Sequence, residues 1–240
     1  MNGENMNLLV IGSGGREHAL VYKLKQSPLC SEIFCIPGNG GIAEIATCVD
    51  MDPNDLPALC EFAQKHQIGL TVVGPEAPLV DGIVDLFESE GLKIFGPNKR
   101  CAAFEGSKLL TKQFLAKYEV PTAQYREAHS KEEALEALRA FCYPVVVKAD
   151  GLAAGKGVII CETEQQATGA IEEMMVDKKF GAAGDTLVLE EFLNGTETSM
   201  LCFSDGNKLI PLASSKDYKK IFDTDVKLNE KINKKILDPI

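Results

Sequence analysis

The chain has 240 residues, 45% of them hydrophobic and 25% charged, the make-up of a globular protein of one large or two modest domains. Its formal net charge of −10 argues against a general nucleic-acid binder, which presents a basic surface, but leaves room for a small anion held by local N–H groups. No run approaches the roughly 20 apolar residues of a membrane span, and Met1 to Asn7 lacks the basic start and long apolar core of a signal peptide, so a cytoplasmic protein without a membrane partner is expected.

In chain order, Leu8-Leu9-Val10-Ile11 is an unbroken apolar run ended by Gly12, the pattern of a strand buried on both faces. Arg16 to Gln26 reads as a helix with Leu20, Val21 and Leu24 on one side. Ile33 to Ile36 is a second strand, stopped by Pro37-Gly38-Asn39-Gly40-Gly41. A helix from Asp55 to His66 turns Leu59, Phe62 and Ala63 inward. Strand Leu70 to Val73, turn Gly74-Pro75, helix Val80 to Glu90 and strand Leu92 to Phe95 follow. The β-α-β-α order implies a parallel sheet with helices on its faces, whose ligands bind at the C-terminal ends of the strands. Three glycine-rich loops begin at such ends and are expected to converge.

A second unit begins near Ala103. Ser107 reads as the N-cap of a helix through Tyr118. Helix Lys131 to Cys142 buries Ala134, Leu135, Leu138 and Phe141. Strand Pro144 to Ala149 runs into Asp150-Gly-Leu-Ala-Ala-Gly-Lys-Gly157, and strand Val158 to Cys161 leaves it, a hairpin-like arrangement. Helix Glu164 to Met175 places Ala167, Ala170, Ile171 and Met174 inward. Strand Leu187 to Phe192 and two further runs, Ser199 to Phe203 and Lys208 to Leu212, complete the pattern. The eight cysteines form no Cys-x-x-Cys pair and are expected as reduced core thiols. His66 and His129 are expected on the surface.

Gly12-Ser13-Gly14-Gly15-Arg16-Glu17-His18 sits between strand and helix, where a dinucleotide fingerprint would lie, but that fingerprint needs glycine at 17 and an acidic residue ending the second strand. Neither is present, which argues against NAD and a dehydrogenase and leaves a helix N-terminus with Arg16 beside it, a phosphate cradle. Pro37 to Gly41 brings N–H groups to the same edge, and Gly74-Pro75-Glu76 adds one carboxylate suited to hydroxyls or an amine. Gly151-Leu-Ala-Ala-Gly155-Lys156-Gly157 has three residues between its glycines and no Ser or Thr after the lysine, so it is not a P-loop; a glycine flap closing over phosphates fits better. Lys148, in an apolar strand, needs an anion, either a ligand phosphate or a protein carboxylate. Glu190 and Glu191 end a strand where an adenine edge can be met. No zinc spacing and no nucleophile elbow occur.

Gly-Gly-Arg-Glu-His at 14–18, Pro-Gly-Asn-Gly-Gly at 37–41, Val-Gly-Pro-Glu-Ala-Pro-Leu at 73–79, Phe-Gly-Pro at 95–97 and Glu-Gly-Ser-Lys at 105–108 occur in that order. Val-Lys-Ala-Asp-Gly-Leu-Ala-Ala-Gly-Lys-Gly-Val at 147–158 and Glu-Glu-Phe-Leu at 190–193 follow them. From about Met6 to Asp223 the chain resembles the phosphoribosylamine–glycine ligase (glycinamide ribonucleotide synthetase) family of ATP-grasp enzymes. The resemblance implies a Rossmann-like, parallel α/β substrate-binding domain at 1–103 and an incomplete ATP-grasp fold at 104–240, with a glycine-flap subdomain within 122–192. It implies ATP-dependent joining of glycine to 5-phosphoribosylamine in purine synthesis, through a glycyl phosphate. By resemblance, Lys108, Lys148, Gly155, Lys156 and Gly157 contact ATP phosphates, and Glu190, Glu191, Leu193 and Glu197 hold adenine and ribose. Gly14, Gly15, Arg16, Glu17, Gly38, Asn39, Gly40, Pro75 and Glu76 line the phosphoribosylamine site, and Asp217 and Lys219 join Lys148 near the reacting groups.

The stretch after Phe222-Asp223 departs from the family, which continues there into a glycine-rich loop and then much further. The chain is accordingly expected to be an N-terminal portion with an internal segment absent and little turnover by itself. The ligands of the family's magnesium or manganese are expected outside it. Another ATP-grasp carboxylate–amine ligase, or a nucleotide-binding module without turnover, are the alternatives.

Overall fold

The computed structural model describes residues 5–153 and 156–216. The chain divides into two compact units, Met1–Phe192 and Leu193–Ile240.

The first unit opens with β1 (Met6–Gly12), α1 (Gly15–Lys25), β2 (Cys30–Pro37), α2 (Gly40–Ala43) and β3 (Thr47–Cys48), followed by α3 (Leu56–Lys65) and β4 (Ile68–Val73). The strands are joined by β5 (Ile94–Phe95) in a parallel sheet of order β3-β2-β1-β4-β5. Alternate residues of β1 feed different cores, which is why its apolar run is unbroken. Leu9 and Ile11 pack with Phe34, Ile36, Leu59 and Phe87 on one face; Leu8 and Val10 pack with Ile33, Val21 and Ile42 on the other. β2 lies on one side of β1 and β4 on the other, so strand order reverses between β1 and β4. The crevice at such a switch point is where open α/β sheets bind ligands.

The periodicity of 80–90 suggests one helix, but the structure has two, α4 (Glu76–Asp81) and α5 (Ile83–Ser89). Gly82 separates them at φ +100°, a left-handed conformation that closes α4 before α5 starts. α6 (Lys99–Gly106), not evident from the sequence, is capped by Asn98, whose Oδ1 accepts from Cys101 N at 3.0 Å; it buries only Ala102 and so carries little apolar pattern. α7 (Lys108–Lys117) starts at Ser107, whose hydroxyl accepts from Leu110 N at 3.0 Å, as its sequence suggests.

β6 (Tyr125–Ala128), α8 (Lys131–Leu138), β7 (Val145–Ala149), β8 (Val158–Cys161), α9 (Glu164–Ile171) and β9 (Leu187–Glu191) build a second sheet, antiparallel throughout, of order β6-β9-β7-β8. One face, with Val145, Val147, Ala149, Leu187 and Leu189, packs on Ala134, Leu138, Ala167, Ile171 and Met174. The helix read over 131–142 stops at Leu138, and that over 164–175 passes into a π turn at Glu172–Val176. β6 escaped the sequence reading because Arg126 and Glu127 give it no apolar alternation.

In the second unit, β10 (Thr198–Ser199) pairs with β13 (Ser215–Lys216), and β11 (Cys202–Ser204) with β12 (Leu209–Pro211), all antiparallel. The Asp205 carboxylate closes the β11–β12 turn by accepting from Asn207 N and Lys208 N.

Two expectations need correction. All eight cysteines are free, but only Cys35, Cys60 and Cys161 are buried; Cys101 on α6, Cys202 on β11 and Cys142 in the segment between α8 and β7 are exposed. His66 is no plain surface residue: its ring stacks on Phe62 with centroids 4.1 Å apart and leans on Phe34.

At Gly82 a Cβ would meet the Lys99 side chain at 3.2 Å in a backbone conformation that disfavours it. Gly82→Ala should lower stability by about 1–2 kcal/mol in urea unfolding. A neutral or stabilising result would mean that 76–89 runs as one continuous helix.

Candidate functional site

The loops after β1, β2 and β4 meet at the switch point. Asn39 Nδ2 donates to Ser13 O at 2.7 Å and Gly38 N to Gly12 O at 3.1 Å, joining the first two loops. Arg16 Nη1 donates to Gly74 O at 2.6 Å and pairs with Glu76 Oε1 at 3.0 Å, joining the first and third. Gly14, Gly15 and Arg16 open α1, Gly38, Asn39 and Gly40 lead into α2, and Pro75 and Glu76 open α4. Three helix N-termini therefore border one rim, where backbone N–H groups and helix dipoles favour an anion.

Glu17 has a different place from its neighbours. It is 5% exposed, and its Oε2 accepts from Gly14 N at 2.5 Å, satisfying one free donor at the start of α1. It packs so closely under Gly74 that a Cβ there would lie 2.6 Å from its carboxyl carbon. The residue that breaks the dinucleotide fingerprint thus props the loop from below. At the rim, the carboxyl of Glu76 is held below the usual carboxylate range, first by its own backbone N–H and then by Arg16, with partial burial opposing.

A second cluster lies where α7 meets the antiparallel sheet. Asp150 fixes the start of α7: its Oδ1 accepts from Leu109 N at 3.0 Å and its Oδ2 from the Ser107 hydroxyl at 3.1 Å. Lys108 Nζ donates to Ala149 O and Gly151 O, each at 2.9 Å. Burial lowers the pKa of Lys108, opposed by Asp150 and reinforced by the charge of Lys148. Lys148 Nζ pairs with Glu190 Oε1 at 2.9 Å, and Lys112 Nζ with Glu190 Oε2 at 3.0 Å. Of the two anions the sequence left open for Lys148, the structure supplies the protein carboxylate. Lys112 and Glu190 are 7% and 5% exposed.

Strand register puts Val146, Lys148, Val188 and Glu190 on the face away from the helical core, together with Val158 and Ile160. Val158 and Ile160 are exposed, as is Leu152 in the adjoining loop. An open apolar floor beside lysines suits a flat aromatic group joined to phosphates. The glycine loop springs from this face; Gly157 O accepts from Ala149 N at 2.8 Å, and Lys156 is exposed. Glu191 is engaged at the opposite edge, its Oε1 accepting from Gln124 N at 2.8 Å. Leu193 and Glu197 belong to the second unit, and both are exposed. Gly155, Asp217 and Lys219 lie outside the described residues.

Sequence reasoning missed Lys112, Asp150, Val158 and Ile160. Val158 and Ile160 alternate with the inward Ile159 and Cys161, a signal that was available; Lys112 follows Lys108 by one helical turn, which shows a shared face but not that Lys112 is buried. Among the described residues no group of three or more His, Cys, Asp or Glu side chains is placed to hold a metal ion, and no helix is long and apolar enough to cross a membrane.

A parallel sheet gathering three loops at its switch point, followed by an antiparallel sheet with a lysine on a central strand and a glycine loop beside it, is the architecture of the ATP-grasp class. The N domain of phosphoribosylglycinamide synthetase matches residues 6–105, and the ATP-grasp (A) domain of the same synthetase matches residues 106–230. The chain belongs to the phosphoribosylglycinamide synthetase family. It is 52% identical over 226 residues to phosphoribosylamine–glycine ligase of Haemophilus influenzae, covering 93% of this chain and 53% of that one. The crystal structure of phosphoribosylamine–glycine ligase from Thermotoga maritima superposes with a TM-score of 0.75 at 30% identity, over 91% of this chain and 52% of that one. The chain thus spans about half the length of these relatives. The bifunctional purine biosynthetic protein PUR2,5 of Pichia angusta is 44% identical over 258 residues, 98% of this chain and 33% of that one. That alignment is longer than the chain, so part of the matched stretch of the relative has no counterpart here.

Because Arg16 helps hold the Glu76 carboxyl down, Arg16→Met should move its titration upward, as read by carbon-13 NMR of the carboxyl. The folded-state pKa is the depressed one, so the stability this pair contributes is present above the ordinary carboxylate range and fades as pH falls through Glu76. Both side chains are substantially exposed, so the effect should be small and shrink with salt. An unmoved Glu76 would mean that its own N–H alone sets its titration.

Proposed function

We propose that this chain carries the nucleotide-binding and phosphoribosylamine-binding portion of an ATP-dependent carbon–nitrogen ligase, which joins glycine to 5-phosphoribosylamine in purine synthesis in the cytoplasm. The observation that carries the reading is the lysine cluster of α7 and β7, on the open face of the antiparallel sheet and beside the glycine loop. In this reading 1–103 binds phosphoribosylamine and 104–240 is the ATP-grasp part, with the flap within 122–192.

The reaction follows from what such groups do to phosphates. A glycine carboxylate oxygen attacks the γ-phosphorus of ATP, and ADP leaves. The amine of phosphoribosylamine then attacks the carbonyl carbon of the glycyl phosphate, phosphate leaves, and the amine gives up a proton. No protein nucleophile is needed, so catalysis is positioning and charge stabilisation. Lys108, Lys148, Lys156 and the glycines at 155 and 157 hold the phosphates, with Val158 and Ile160 under the base. Glu190 and Glu191 border adenine and ribose, the Glu190 carboxylate acting through Lys148. Gly14, Gly15, Arg16, Gly38, Asn39, Gly40, Pro75 and Glu76 receive phosphoribosylamine, and Glu17 supports them from below. Magnesium or manganese, when bound, supplies further positive charge on the phosphates; none of the residues named here is assigned to hold it.

A second reading is a nucleotide-binding module without turnover. Nucleotide binding is common to both. Magnesium–ATP should therefore raise the melting temperature, by the equivalent of about 2.7 kcal/mol at 100 times the dissociation constant. NAD should leave it unchanged, and Lys148→Met should remove the ATP effect. A flat response to ATP, or a shift that survives Lys148→Met, would remove the lysine cluster as the nucleotide site. Turnover separates the two readings: ADP release that depends on both glycine and phosphoribosylamine supports the ligase, and ATP binding without it supports the module.

A further inference from the structure

We infer that Lys112 is a positioning residue for the nucleotide: it never touches the phosphates, and it frees the charge of Lys148 to do so. The inference rests on the nucleotide reading above. An ammonium group has three N–H donors, and those of Lys112 have three partners. They are the Thr122 hydroxyl at 2.8 Å, the Ala123 carbonyl at 3.0 Å and Glu190 Oε2 at 3.0 Å. Its Nζ also lies 5.7 Å from the centroid of the Tyr125 ring. Buried and fully committed, Lys112 has nothing left for a ligand.

Lys148 is placed in the opposite way. Among the described residues its ammonium has one partner, Glu190 Oε1, and its side chain is 25% exposed. If Glu190 faced Lys148 alone, the two charges would cancel, and an incoming phosphate would have to compete with a buried carboxylate for that ammonium. Lys112 changes the sum. It occupies the second carboxylate oxygen and neutralises Glu190, so the three groups carry one net positive charge, and that charge sits at the exposed member. Glu190 then orients Lys148 without cancelling it. Lys112 and Lys108 lie one turn apart on α7, so the helix that brings Lys108 to the glycine loop also brings the neutralising charge to Glu190.

The test compares dissociation constants of the whole chain for magnesium–ATP and for inorganic tripolyphosphate, which removes any contribution from adenine. Lys112→Met should weaken both by about tenfold or more, since a charge-assisted contact is lost to the competing carboxylate. Lys112→Arg should stay within a few-fold of the unaltered chain. Adding Glu190→Gln to Lys112→Met should restore most of the affinity, because a neutral amide no longer competes for Lys148. If Lys112 only supported the fold, the double variant would bind no better than Lys112→Met; that result, or full affinity in Lys112→Met, overturns the inference. Should Lys112→Met fail to melt cooperatively, the double variant and Lys112→Arg carry the comparison, and weak binding by both overturns it. An unaltered chain that binds neither probe overturns the nucleotide reading itself, and the inference with it.

Discussion

The carboxylate of Glu190 is shared between two lysines from different elements, and the seating of α7 depends on that sharing. α7 is turned inside out relative to an ordinary amphipathic helix: its one buried residue is Lys112, while Leu110 and Phe114 are exposed. Hydrophobic burial therefore does little to place it. Its position comes from polar contacts at successive turns, with Asp150 on its first N–H groups, Lys108 on the carbonyls of Ala149 and Gly151, and Lys112 on Glu190. Removing one partner of a buried ion pair costs about 3–5 kcal/mol, because the survivor is left buried and uncompensated. Apolar residues of similar size would hold a helix here at least as well. What they would not provide is a carboxylate that holds Lys148 in place while Lys112 offsets its charge.

The parallel sheet answers a different constraint with the same economy. β1 is buried on both faces because helices cover both, so its C-terminal end is the place where the backbone emerges with free N–H groups beside β4. A buried carboxylate keeps that exit open. Glu17 takes up the space beneath Gly74 and ties down Gly14, leaving Gly15 and Arg16 at the rim. In both sheets an acidic residue below the surface organises groups that face outward, Glu17 by filling space and accepting an N–H, Glu190 by holding ammonium groups.

What the sequence disclosed follows from what hydrophobic periodicity can encode. The continuous run at 8–11 and the inward set Leu59, Phe62 and Ala63 are patterns of burial, and the structure buries those residues. The convergence of three loops followed from parallel topology alone, and the hydrogen bonds of Arg16 and Asn39 join them. Gly82 was hidden because a left-handed break leaves the apolar spacing on either side intact. β6 was hidden because its charged residues erase the alternation. Lys112 was hidden for a deeper reason: a lysine in a helix ordinarily faces water, and only the pairing of two distant stretches, 112 and 190, gives it a reason to be buried. Pairwise electrostatics between remote positions leave no trace in local pattern. The motif around Lys148 left open which anion the lysine meets, and the structure places the Glu190 carboxylate beside it.

The same distinction separates the chain's net charge of −10 from the charge found locally beside α7. At physiological ionic strength exposed charges are screened over about 8 Å, so the acidic surface as a whole contributes little inside a cleft. Groups within a few ångströms decide the local potential. Around α7 the groups held in direct contacts are Lys108, Lys112 and Lys148 with Glu190 and Asp150, and the exposed Glu105 also acts on Lys108. Asp150 is spent on the N-terminus of α7 and Glu190 on two lysines, so neither carboxylate is free to repel an anion. In the proposed reading the charge that a nucleotide's phosphates meet is that of the Lys112–Glu190–Lys148 group, one net positive charge carried at its exposed member.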